Sequence, residues 1–153
     1  MKLAEALMLR ADAQKKAEQL RQRLSRSAKV QEGEHPPEDP NVLMREVEAV
    51  VQELTRLIQV INRTNSHTVF REAQTLTDAL AQRDMLALRR SIYASLLDAA
   101  AGQQTRYSRS EIKLVTTVDV ASLQRQVDHL AQAYRQLDAR IQEMNWAVEV
   151  LNP

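Results

Sequence analysis

The 153-residue chain carries 21 Lys and Arg against 20 Asp and Glu, a formal charge of +1, so no global field draws it onto nucleic acid or an anionic surface. It has no Cys, which excludes disulfides, thiolate nucleophiles and Cys-ligated metals and fits a cytoplasmic protein. With 44% hydrophobic and 3% aromatic residues, its core must come from Leu, Val, Ile, Ala and Met, and no apolar run approaches the ~18 residues that cross a membrane.

The opening stretch MKLAEALMLRADAQKK meets Glu5 and Arg10 before a signal-like apolar region can form, and it predicts a helix over about 2–28. Leu3, Leu7, Ala13, Ala17, Leu20 and Leu24 line one side, with Arg10 and Gln14 interrupting the seam. Lys15, Lys16, Arg21, Arg23, Arg26 and Lys29 outnumber Asp12 and Glu18, giving a basic face suited to anionic lipid or a nucleic-acid backbone. VQEGEHPPEDP then has turn chemistry: Gly33 suits the left-handed position after a helix, and Asp39–Pro40 is an N-cap followed by proline at the first helical position.

A second helix over about 40–64 follows, with Leu43, Val47, Val50, Leu54, Leu57 and Ile61 in a heptad seam and Val51 and Ile58 adding a second apolar face. Thr68, Val69 and Phe70 favour a strand over about 67–71. A third helix spans about 75–101, opened by Thr75 and Asp78 as a capping box and closed before Gly102. Its apolar residues form two lines, Ala81, Met85, Leu88, Ile92 and Leu96, and Leu86, Tyr93, Leu97 and Ala100, which predicts the most enclosed helix of the chain.

YSRSEIKLVTTVD alternates like a strand, over about 111–117, and pairing of the two interhelical crossings satisfies their backbone groups. Asp119 caps a fourth helix over about 119–150, where Leu123, Val127, Leu130, Tyr134, Leu137, Ile141, Met144, Val148 and Leu151 keep unbroken four-three spacing. The expected fold is mostly α, one domain over 1–153, with four long helices as two antiparallel coiled-coil-like hairpins and a short two-stranded antiparallel β ribbon between them.

Surplus heptad surface predicts a homo-oligomer, at least a dimer, associating through Leu123, Val127, Leu130, Leu137 and Ile141. Arg106, Arg109 and Lys113 form a candidate anion or nucleic-acid contact. Asn62, Asn65 and Asn145 form a candidate polar cluster; the alternative is that these residues fix register or cap a helix end while Trp146 covers the core. His35, His67 and His129 are isolated from one another and from ligand-spaced carboxylates, so they predict surface residues and no metal site. No motif assembles a nucleophile, a base and an orienting group, so no catalytic residue, cofactor or small-molecule substrate is expected.

MKLAEAL, LRQRLSRSAKVQEGE, INRTNS, LTDALAQRD, YSRSEIK with VDVASLQ, and LDARIQEMNW together resemble the septicolysin-like proteins, a small bacterial family, across almost the whole chain. That resemblance implies a shared helical fold and, through the family name, a membrane-active, pore-forming or cytolysin-like protein; it carries no site residue. The expectations are therefore a non-enzymatic, self-associating structural or interaction protein, with a membrane-active protein and a nucleic-acid-binding helical hairpin as alternatives.

Overall fold

The computed structural model describes residues 1–102 and 112–151. Four helices, α1 (Leu3–Arg26), α2 (Pro40–His67), α3 (Leu76–Ala101) and α4 (Val120–Ala147), account for most of them. A two-stranded antiparallel sheet, β1 (Val69–Arg71) with β2 (Gln74–Thr75), lies between α2 and α3 in sequence. The mostly α class with a short ribbon is as expected. The chain divides into two compact units, Met1–Leu76 with Gln142–Pro153, and Thr77–Ile141.

In the first unit α1 and α2 form the expected antiparallel hairpin. Leu20, Leu43 and Val50 are buried together, with Ala13, Ala17, Leu24 and Val47 packed against them. These are heptad positions of both helices, so the seam read from spacing is the seam that removes apolar area from water. Asp39 caps α2 by accepting a hydrogen bond from the Asn41 backbone N–H at 2.9 Å, with Pro40 at the first helical position.

The proline-rich connection is tied back to α1 by a two-armed ion pair between Arg23 and Glu38, whose Nε–Oε2 arm measures 2.9 Å. The Arg23 hydrogen bond holds the Glu38 carboxyl below its ordinary range. Gly33 has the expected positive φ, +86°, but sits within the connection, since α1 ends at Arg26 with Ser27 as its cap.

The ribbon is a local hairpin. Val69 pairs with Thr75 and Arg71 with Gln74 across a turn at Glu72, whose φ of +47° is left-handed. The expected partner segment does not join it: 112–119 has no regular structure, with Ile112, Leu114 and Val115 exposed, and residue 111 lies outside the described residues. Two strands joined by a two-residue turn satisfy their backbone groups with almost no loop-closure cost, whereas pairing Val69–Arg71 with 112–117 would close a loop of some forty residues.

The helix of α4 ends at Ala147, short of the expected 150, because the chain turns extended and pairs with the amino-terminal segment. Leu3 N–H donates to the Val148 carbonyl at 2.9 Å and Val150 N–H to the Met1 carbonyl at 3.0 Å. Glu149 accepts from the α-amino group of Met1 at 2.9 Å and pairs with Lys2 Nζ at 2.9 Å, which together hold its carboxyl below the usual range.

Thr64 closes the same end. Fully buried, its hydroxyl donates to the Val60 carbonyl at 2.8 Å and accepts from Leu151 N–H at 3.0 Å. Thr64→Val keeps the shape and strands the Leu151 N–H without its acceptor, so we expect a loss of about 1–2 kcal/mol in urea unfolding. Unchanged stability would show that the Leu151 contact contributes nothing.

Candidate functional site

The Thr77–Ile141 unit carries a line of exposed apolar side chains. Asp119 caps α4 by accepting from Ser122 N–H at 3.1 Å. Arg83 Nη1 donates to Asp138 Oδ1 at 2.8 Å, with Asp84 3.5 Å away, and this bridge pins α3 to α4 side by side. Burial pulls the Arg83 guanidinium down, but the Asp138 hydrogen bond and the surrounding negative charge outweigh it, so its affinity for the proton is raised. Leu86 and Leu137 share one groove and Tyr93 and Leu130 another. The pairs run in opposite directions along the two helices, so α3 and α4 form the second expected antiparallel hairpin.

On α4, Leu123, Val127, Leu130 and Ile141 are buried and Leu137 is half-buried. The residues expected to bind a second copy are therefore covered within the chain itself. On α3 the opposite holds. Leu86, Tyr93 and Leu97 are half-buried, while Met85, Leu88, Ile92 and Leu96 are 53, 51, 56 and 42% exposed. The helix expected to be the most enclosed instead presents its second apolar line to solvent.

Four large apolar side chains on one helical line make a contiguous patch, unlike singly scattered surface leucines. Beside it, Ala81, Gln82, Met85, Leu86, Arg89 and Leu137 line a groove of about 420 Å³. The smaller line Met44, Val51 and Ile58 on α2 is also exposed, as its second apolar face predicts, but Glu48 and Thr55 fall between its members.

The other candidate residues are dispersed. Arg106 and Arg109 lie outside the described residues, and Lys113 is exposed. Asn62 is exposed, Asn65 half-buried and Asn145 buried, donating to Gln142 Oε1 at 3.4 Å; no hydrogen bond joins the three among the described residues. Thr64, which the sequence reading passed over, is the buried polar residue that organises that end. Trp146 is exposed and does not cover the core. The basic face of α1 is partly neutralised, with Arg21 on Glu18 at 3.1 Å and Arg23 on Glu38. His35, His67 and His129 are exposed, as expected. Among the described residues no helix is long and apolar enough to cross a membrane.

No curated protein matches the chain. A crystal structure of a functionally unknown conserved protein from Corynebacterium diphtheriae is similar to it, with 46% identity over 99% of both chains and a TM-score of 0.93. A family model described as "Family of unknown function (DUF6847)" matches residues 10–150. These findings overturn the resemblance to the septicolysin-like proteins, which none of them indicates, and the cytolysin reading that rested on the name goes with it. The strings that suggested it are largely helical and built from Leu, Ala, Gln, Arg and Glu, residues that recur in unrelated helices because helix propensity and heptad spacing favour them. The chain belongs to the family described as a family of unknown function, DUF6847.

Proposed function

We propose that the protein is a non-enzymatic, self-associating helical interaction protein whose association surface is the exposed face of α3, and that the occupant of that face is a second copy of the same chain. The observation that carries this reading is the line Met85, Leu88, Ile92 and Leu96, each about half exposed on one side of a helix.

The line is self-complementary. In an antiparallel pairing about a two-fold axis, Met85 lies opposite Leu88 of the second copy and Ile92 opposite the smaller Ala81, so these central layers join residues of compatible size, with Leu96 opposite Thr77 at either end. Finishing the burial of a half-exposed Leu, Ile or Met contributes about 1 kcal/mol, and four from each copy give at most roughly 8 kcal/mol before the cost of association, so the residues flanking the line must add to it for the dimer to form at micromolar concentration.

Because the chain has no Cys, the face can be tested by disulfide trapping without background. A Met85→Cys, Leu88→Cys variant should give a covalent dimer on mild oxidation, and a Val51→Cys, Ile58→Cys variant on α2 should not. Dimer trapped through α2 and not through α3 would refute the proposal.

A further inference from the structure

We infer that the Thr77–Ile141 unit binds a small phosphorylated ligand in the groove between α3 and α4 that is lined by Arg89, Tyr93, Ser122, Arg125, Gln126, His129 and Leu130. Arg89 borders both this groove and the one beside the self-association line, but the inference uses none of the four residues of that line and does not depend on self-association.

The groove encloses about 350 Å³, within the range of small-molecule sites. Its lining is chemically one-sided. Arg89 and Arg125 bring two guanidinium groups from two helices, His129 adds an imidazole, and Tyr93, Ser122 and Gln126 add neutral hydrogen-bonding groups, while among the described residues no carboxylate lines it. In a chain with almost equal numbers of acids and bases, such a lining makes a local positive field that the net charge conceals.

The two arginines are also uncommitted. Arg83, nearly two turns earlier on α3, is paired with Asp138 and Asp84, whereas neither Arg89 nor Arg125 has an ion-pair partner among the described residues. Guanidinium forks match phosphate oxygens in two-armed geometry, and two forks held by helices already pinned together by Arg83 and Asp138 need little reorganisation to grip one phosphate group. Tyr93 and Leu130 supply an apolar wall against which the body of a phosphate ester can lie, which favours an ester over free phosphate.

The test is calorimetric titration of the full chain at low salt with AMP and with inorganic pyrophosphate as probes. Saturable binding should appear with at least one probe at submillimolar to millimolar concentration. It should weaken at least tenfold in Arg89→Gln and in Arg125→Gln, and remain unchanged in Arg90→Gln, which alters an exposed arginine on α3 outside the groove. Circular dichroism melts of all three variants should match the native chain, since neither groove arginine holds an ion pair among the described residues. Absence of saturable binding by both probes, or equal binding by the native chain and the Arg89→Gln, Arg125→Gln double variant, would overturn the inference. So would binding confined to an RNA oligomer, because that marks a polyanion surface and not a ligand groove.

Discussion

Replacing Leu88 with Glu is expected to convert the associated protein into a folded monomer. Leu88 sits mid-line on α3, about half exposed, with Met85 and Ile92 on either side. In the free chain a glutamate there faces water and costs little, because glutamate is a good helix former and the position supports no buried packing. In the dimer each copy would lose its central apolar contact and place a carboxylate in a closing apolar interface without a cation. Removing the contact and desolvating the charge together cost at least about 3 kcal/mol, so association should weaken by at least about 100-fold. Sedimentation at about 50 μM should show the monomer, with native helical content by circular dichroism. An associated Leu88→Glu protein would place the interface elsewhere; an unfolded one would show that the line is core.

Leu43→Ala is the second large expectation, and it acts on stability instead of association. Leu43 is 1% exposed and buried with Leu20 and Val50 where α1 and α2 meet. Truncation removes its apolar contacts and leaves a cavity between two packed helices that cannot readily collapse. The expected loss is about 2–5 kcal/mol, which is a large share of the roughly 5–15 kcal/mol typical of a folded domain. A urea midpoint lowered to match, with an unchanged slope, supports the packing described here. A loss under about 1 kcal/mol would mean that the hairpin seam is not the main source of stability in the Met1–Leu76 unit.

The contrast between these two leucines shows what a single sequence encodes. Both lie on clean helical lines, and spacing marks each line as apolar without saying what covers it. For Leu43 the cover is α1, reached through a short connection whose Asp39–Pro40 start is a local signal. For Leu88 no cover is present among the described residues, while the better heptad on α4, which reads as the association seam, is largely buried.

Local chemistry was legible elsewhere too: Asp119 caps α4 as its sequence context predicts. Pairing at a distance was not. Thr64 meets Leu151, 87 residues away, and no spacing rule joins them. The partner of Val69–Arg71 was missed because Gln74 and Thr75 make a strand of two residues, too short for a period, whereas the strongly β-prone 112–118 segment takes no strand conformation. The groove arginines were missed for the same reason, since Arg89 and Arg125 lie on different helices and become neighbours only when the hairpin closes.

The measurement that tests the central claim most directly is the solution mass of the native chain by light scattering, at about 10 and 100 μM and beside Leu88→Glu. Self-association through α3 predicts that the native mass rises with concentration toward at least twice the 17.4 kDa of one chain while the variant stays at 17.4 kDa. A native chain that remains at 17.4 kDa throughout, or a variant that matches the native mass, would contradict it.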